Sequence, residues 1–157
     1  MSEKTCRQVV LASRPEGAPK AENFKLAESK LTEPAEGELL ARTIYLSLDP
    51  YMRGRMNDAK SYAEPVEIGG VMTGGAVSQV VKSNNPKFAE GDIIFGYSGW
   101  QDHVVTSGKG FRKVDPANAP ITTALGILGM PGMTAYTGMK NIGQPKEGET
   151  VVVAAAS

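Results

Sequence analysis

Residues 46–56, with the sequence Leu-Ser-Leu-Asp-Pro-Tyr-Met-Arg-Gly-Arg-Met, constrain the fold more than any other stretch of the chain. Apolar side chains occupy even positions up to Leu48, which predicts a strand over residues 38–48 with one buried face. Asp49-Pro50 then ends this strand, because proline lacks an N–H and restricts the residue before it. Ordinary turns use glycine and small polar residues, whereas a phenol, two methionines and two arginines follow here. Since loops at strand ends carry much of protein chemistry, the segment is a candidate site.

The charge balance and the apolar fraction exclude several classes of protein. The 157 residues include 17 Lys and Arg against 17 Asp and Glu, so no basic excess exists to bind a phosphate backbone, and we expect no nucleic-acid partner. Apolar residues make up 41% of the chain, but the longest apolar runs are too short to span a bilayer. The first residues contain no apolar signal-peptide core. We therefore predict a cytoplasmic protein with no membrane partner.

The cysteine and histidine counts bear on metal binding. Cys6 and His103 are the single members of their types, so the chain forms neither an internal disulfide nor a zinc cage of cysteines and histidines. No clustered acidic motif supports a site made of carboxylates alone. We predict no metal site.

Short strand patterns separated by turn residues dominate the chain as far as residue 114. Many short strands at this spacing favour an all-β barrel or sandwich. The predicted strands cover residues 8–13, 24–29, 38–48, 93–96, 100–106 and 110–114.

Paired glycines punctuate residues 68–81, and two interpretations compete for them. They are typical of bulges or tight barrel corners where backbones approach closely. They also resemble a loop that cradles phosphate, but no strand-then-helix context surrounds them, which favours the structural interpretation.

The pattern changes after Asp115-Pro116. Apolar residues recur at helical spacing from residue 121, with Pro120 placed to start a helix. Residues 129–132 interrupt this helical pattern, and a second helix is predicted over residues 133–141. The β-branched run at 150–157 predicts a strand buried on both faces of a parallel sheet. Because such a strand needs partners on both edges, we expect the chain to be the N-terminal part of a longer protein.

Four blocks of the sequence resemble one known family. Residues 46–56 resemble the signature of the zinc-independent medium-chain dehydrogenase/reductases, and residues 87–92, 129–136 and 147–157 match the same group. Within it they are similar to the NADPH-dependent alkenal/one oxidoreductases. This branch includes prostaglandin reductases, plant double-bond reductases and bacterial curcumin reductases. The zinc-dependent relatives need cysteines and a Gly-His-Glu motif as metal ligands. This sequence lacks that set of ligands, which agrees with the resemblance to the zinc-independent group.

The resemblance implies a mainly β chain in two parts. A GroES-like β-barrel catalytic domain would cover residues 1–120, and the first helices and strand of an incomplete Rossmann domain would cover residues 121–157. The implied cofactor is NADPH, and the implied partner is a small enone or alkenal whose C=C bond is reduced. A homodimer would form through the rest of the Rossmann domain. The family's glycine-rich phosphate turn follows the strand at 150–157, so we expect this chain alone to bind NADPH weakly or not at all.

The sequence is also compatible with two other functions. A zinc-independent quinone oxidoreductase would share the fold and the hydride donor. A non-catalytic barrel module would serve as a scaffold or interaction domain.

Tyr51 is the candidate catalytic residue. Without zinc to polarise the substrate carbonyl, a hydrogen-bond donor must stabilise the enolate that forms after hydride transfer. The neutral phenol of Tyr51 is able to donate to that oxygen. The alternative is that Tyr51 packs in the barrel mouth with its hydroxyl in water.

The resemblance also names residues around the cofactor and substrate. Pro50, Met130 and Thr134 match positions near the nicotinamide, and Ser157 would adjoin the phosphate turn. Pro50 is otherwise a strand terminator, and a methionine at helical spacing is more often core than a cofactor contact. Tyr62 and Tyr97 are candidates for the substrate mouth together with Tyr51.

Three charged or titratable residues have competing interpretations. Arg53 and Arg55 are able to attract a phosphate or a substrate carboxylate, but a structural ion pair explains Arg53 equally well. His103 lies on a predicted strand, where a single histidine is more often structural than catalytic.

Overall fold

Two antiparallel sheets form the molecule in the computed structural model, which describes residues 5–154. The first is a hairpin, and the second has five strands in the order β6-β3-β4-β5-β7. The predicted mainly β class is therefore confirmed. The hairpin strands are β1 (Thr5–Leu11) and β2 (Phe24–Lys30); the larger sheet contains β3 (Leu39–Leu46), β4 (Ala76–Ser83), β5 (Ile93–Gly96), β6 (His103–Thr106) and β7 (Arg112–Lys113).

Strand β1 joins the hairpin to the rest of the molecule. One edge pairs with β2, and the backbone groups of Val9 on the other edge bond Trp100 O at 2.8 Å and Met72 N at 3.0 Å. Leu11 N likewise donates to Gly70 O at 3.0 Å. Because both edges of β1 are paired, the glycine-rich segment and the Trp100 loop are fixed against the hairpin.

Strand β3 lies between β4 and β6 and carries the start of the main core. Bulges interrupt its register with β4 after Leu40 and after Thr43, so its burial departs from strict alternation and Leu39, Leu40 and Ala41 are all buried. Each fully buried leucine side chain contributes about 1.5–3 kcal/mol. The core cluster comprises Leu39, Ala41, Val80, Phe88 and Ile94, with Val104 and Phe111 packed against it.

A second cluster lies beneath residues 46–56. Its buried members are Leu11, Met56 and Met72, and Trp100 is among the partly buried residues that pack on it. Gly74 is buried beside this cluster, where an added Cβ would lie 3.0 Å from Trp100 Nε1. This close approach agrees with the structural interpretation of the glycine-rich segment.

The helices after residue 120 differ from the sequence prediction. A 3-10 helix covers Ile121–Leu125, and the helix α2 covers Met130–Thr137, followed by a π-helical turn over Gly138–Gly143. Residues 129–132 therefore start α2 and do not interrupt it, so the predicted start at residue 133 is wrong. The physical reason is Pro131, whose fixed φ and missing N–H suit the first turn of a helix.

The predicted strand at 150–157 is not formed by its described residues, 150–154. Val152 is 84% exposed, and Val151 and Val153 are also exposed. A strand exists only through hydrogen bonds to a neighbour, and none of the described strands pairs with this run. Residues 155–157 lie outside the described residues.

Asp102 links the start of β1 to the start of β6. Its carboxylate accepts bonds from Arg7 Nε at 3.0 Å and Arg7 N at 3.0 Å, and His103 Nδ1 lies 2.9 Å from it. Burial by itself would raise the pKa of this carboxyl, but the bonds to His103 and Arg7 outweigh it and lower the pKa to about 2 from the ordinary 3.8. This agrees with a structural role for His103.

We predict that Asp102 stabilises the fold above pH 4 and that this contribution is lost as the pH falls toward 2. The sign follows because the carboxyl pKa is lower in the folded state, so protonation favours the unfolded chain. Asp102→Asn should lower the free energy of unfolding at neutral pH by about 1 kcal/mol, since the cluster is largely at the surface. Denaturant unfolding of both proteins at several pH values measures this. A constant difference from pH 6 to pH 2 would contradict the prediction.

Candidate active site

The helix α1 (Tyr51–Arg55) begins directly after the strand-ending Asp49-Pro50. Pro50 occupies the cap position with φ −56° and ψ −31°, a conformation that proline adopts without strain. Met52 and Met56 are each 3% exposed and hold the helix against the protein interior. Residues four apart lie on one helix face, so this anchoring turns Tyr51 and Arg55 together toward a cleft.

The cleft has a volume of about 470 Å³. Its position brings together the three predicted substrate tyrosines and one predicted cofactor residue, which are far apart in the sequence. The lining residues are Tyr51, Arg55, Tyr62, Thr73, Tyr97 and Met130.

The hydroxyl of Tyr51 is buried and has no hydrogen-bond partner among the described residues. Burial is the main cause that raises the pKa of this phenol above its ordinary value of 10.0; nearby Tyr97 and Asp49 add to the rise, and Arg55 opposes it. The phenol is therefore neutral at pH 7 and keeps a proton to donate. An unpaired buried hydroxyl costs about 1–3 kcal/mol, which a bound hydrogen-bond acceptor would offset.

The two arginines of α1 face different surroundings. Arg53 donates to Pro15 O at 3.0 Å, to Gly17 O at 2.9 Å and to Asn57 Oδ1 at 2.6 Å. These partners are two carbonyls and an amide, so Arg53 is structural, although not through the ion pair that the sequence suggested.

Arg55 lies on the cleft side of α1. Its guanidinium carbon is 5.0 Å from the centre of the Tyr62 ring, and Nη1 donates to Glu64 O at 3.0 Å. Its Nε is buried without a partner among the described residues.

The start of α2 reaches the same cleft. Met130 lines it, and both Met130 and Tyr97 also line a narrow depression whose walls include Asp49 and Pro131. The two sequence blocks at 46–56 and 129–136 are thus neighbours in space.

The other predicted cofactor residues lie outside the cleft. Pro50 is exposed at the start of α1. Thr134 is exposed, and its hydroxyl donates to Met130 O one helical turn earlier, at 2.8 Å. Ser157 is outside the described residues. Their roles stay predictions.

Thr73 is the cleft residue that the sequence did not indicate. It lies between Met72 and Gly74, in the segment interpreted only as barrel backbone. Its place in the cleft depends on contacts between residues distant in the sequence, so no local signal indicated it.

A second cleft, of about 430 Å³, is lined by residues of the hairpin, β3 and the Trp100 loop. It contains none of the predicted site residues. Its lining includes Val9, Leu26, Thr43, Leu46 and Trp100.

Residues 5–154 contain neither a metal-binding cluster nor a membrane-spanning helix. Within that range no group of three or more histidine, cysteine, aspartate or glutamate side chains is arranged to hold a metal ion. None of the helices there is long and apolar enough to cross a membrane.

The fold consists mainly of antiparallel strands, and residues of α1 and α2 line one cleft. This is the fold of the GroES-like N-terminal domain of medium-chain dehydrogenase/reductases. Residues 7–114 match the family described as the N-terminal domain of oxidoreductase, and the chain belongs to that family. Its branch is that of the curcumin, alkenal and prostaglandin reductases, as the resemblance in the sequence implied.

Relatives in bacteria and plants are similar over nearly the whole chain. The NADPH-dependent curcumin reductase of Escherichia coli (strain K12) is 59% identical over 151 residues, which are 96% of this chain and 44% of that protein. The NADP-dependent 2-alkenal reductase of Nicotiana tabacum is 39% identical over 156 residues, 96% of this chain and 46% of that protein. The crystal structure of CurA from Vibrio vulnificus in complex with NADPH is 57% identical, with a TM-score of 0.89, and the match covers 96% of this chain and 44% of that one. The chain thus spans less than half the length of these relatives.

We predict that Tyr51→Phe leaves the free energy of unfolding unchanged or raises it by up to about 1 kcal/mol, because it removes a buried hydroxyl that lacks a partner. Tyr136→Phe is the matched control, since the Tyr136 hydroxyl accepts a bond from Lys140 Nζ at 2.8 Å at the surface. Denaturant unfolding measures both variants. A loss of more than 1 kcal/mol for Tyr51→Phe alone would show that the hydroxyl is paired in solution.

Proposed function

We propose that the protein is an NADPH-dependent, zinc-independent reductase of the C=C bond of α,β-unsaturated ketones and aldehydes. In this proposal residues 1–120 form the substrate domain and residues 121–157 begin the nucleotide-binding domain. The names of the relatives from Escherichia coli and Nicotiana tabacum support the cofactor and the substrate class. A homodimer formed through the nucleotide-binding domain is part of the same proposal.

The observation that carries the proposal is the unpaired hydroxyl of Tyr51 in a cleft lined by two further tyrosines. Reduction of an enone places negative charge on its carbonyl oxygen as an enolate forms. A neutral phenol kept protonated by burial is suited to donate a hydrogen bond to that oxygen. Since the hydroxyl is buried in this conformation, a substrate contacts it after a flanking side chain shifts.

Met130 at the cleft and the exposed Pro50 at the start of α1 offer apolar surface of the kind that suits the flat face of a nicotinamide ring. The Thr134 hydroxyl has already used its proton on Met130 O, but its oxygen lone pairs remain able to accept from a carboxamide N–H. When bound, NADPH supplies the hydride for the β-carbon. The residues of this chain orient the ring and meet the charge on the substrate oxygen.

The test of the proposal is NADPH oxidation by the intact protein with a linear enone and, separately, with a quinone. We expect Tyr51→Phe to lower kcat for the enone about 100-fold, the usual effect of losing one donor to a developing oxyanion, with a smaller effect on NADPH binding. Tyr45→Phe, an exposed tyrosine on β3 outside the cleft, serves as the control and should keep the wild-type kcat.

Unchanged turnover in Tyr51→Phe would remove Tyr51 from the mechanism. Faster turnover of the quinone than of the enone would favour a quinone oxidoreductase. No NADPH oxidation with either substrate would favour a non-catalytic module.

A further inference from the structure

Arg55 is attached to the loop at one wall of the cleft by three contacts. Its own carbonyl accepts a bond from Val66 N at 2.8 Å, and its Nη1 donates to Glu64 O at 3.0 Å. Its guanidinium carbon lies over the Tyr62 ring, 5.0 Å from the ring centre. One residue at the end of α1 thus holds both the backbone and the aromatic side chain of the 62–66 loop.

Packing does little to fix Tyr62, because its side chain is 81% exposed. A cation over an exposed aromatic face contributes about as much as a weak hydrogen bond. The position of the ring at the cleft therefore depends on Arg55, which is anchored by α1 and by Glu64 O.

Arg55 also acts on the phenol of Tyr51, which lies one helical turn before it. The charged and titratable groups around that phenol are Tyr97, Asp49, Arg55 and Tyr62. Burial, Tyr97, Asp49 and Tyr62 all raise the pKa of Tyr51, and Arg55 is the group that lowers it. The guanidinium charge thus favours negative charge at the oxygen of Tyr51 and at any acceptor bound to it.

We propose that Arg55 is a positioning residue of the cleft, which holds the Tyr62 ring at the substrate wall and places a positive charge beside the Tyr51 hydroxyl. This proposal rests on the reductase function proposed above. It distinguishes Arg55 from Arg53 of the same helix, whose contacts with Pro15, Gly17 and Asn57 all lie away from the cleft.

The chemistry of arginine explains why this residue type suits the position. Its planar group stacks on a ring and donates at its edge at the same time, whereas a lysine ammonium is a point charge with no plane. Arg55→Lys should therefore keep the charge but lose the combined contact with Tyr62 and Glu64. Arg55→Met should lose the charge as well as the contact with Tyr62 and Glu64.

The first experiment measures KM and kcat of the intact protein for a linear enone in Arg55→Met, Tyr62→Leu and the double variant. We expect each single change to raise KM about two- to fivefold, the equivalent of one exposed cation–π contact, and the double variant to raise it no further. Arg53→Met is the control: it loses three hydrogen bonds from the same helix and should lower stability while KM stays within twofold.

The second experiment is a titration of phenol absorbance in wild type, Arg55→Met and Arg55→Lys, each compared with its Tyr51→Phe counterpart. We expect the pKa of Tyr51 to rise in Arg55→Met and to stay near the wild-type value in Arg55→Lys. This titration does not depend on enzyme turnover, so it tests the effect of Arg55 on Tyr51 even if the protein has no reductase activity.

The outcomes are distinguishable. An active wild type with unchanged or lower KM in Arg55→Met, or additive effects in the double variant, overturns the positioning role. An unmoved Tyr51 titration in Arg55→Met overturns the electrostatic part. A wild type that oxidises no NADPH with any enone overturns the reductase function, and the titration then decides whether Arg55 acts on Tyr51.

Discussion

The candidate site depends on the burial of two methionines. Met52 lies on the five-residue helix α1, Met56 directly follows the helix, and both side chains are buried. Such a short helix is not stable by itself, because nucleation fixes several dihedrals for few hydrogen bonds. Tertiary packing of the methionines therefore sets both its existence and its rotation. That rotation turns Tyr51 and Arg55 toward the cleft.

The cleft contains polar groups that packing alone would not favour. The Tyr51 hydroxyl and Arg55 Nε are both buried without partners among the described residues, and each costs free energy in the folded state. The two core clusters below supply the stability that tolerates this cost. Local rules are broken most often where a ligand will later satisfy them. A hydrogen-bond acceptor bound in the cleft would offset the cost of these two donors.

Some features of the fold were predictable from residue patterns, and others depend on contacts that a pattern does not contain. The strand composition of residues 24–29 and 38–48 and the proline stop at residue 50 are local features, so β2 and β3 lie close to their predicted positions. The bulges of β3, which decide which of its residues are buried, depend on its pairing with β4. The start of α2 was misplaced because residues 129–132 were interpreted as an interruption, although the proline among them suits the first turn of a helix. The run at 150–154 has strand composition but no partner strand among the described residues, and pairing is a non-local property. Thr73 reaches the cleft through the pairing of its neighbour Met72 with Val9, which no local signal shows.

Contacts between the sheet and the segment before α2 explain why two distant sequence blocks share one cleft. Arg112 on β7 donates to Leu128 O at 2.9 Å, and its guanidinium carbon lies 5.0 Å from the centre of the Phe95 ring. Phe95 in turn meets Tyr97 edge-on, with 5.8 Å between ring centres. The same side chains that close the end of the sheet therefore hold the residues just before Met130, which lines the cleft together with Tyr51. A substrate or cofactor in this cleft would contact both blocks at once, so changes in either block should affect binding at the other.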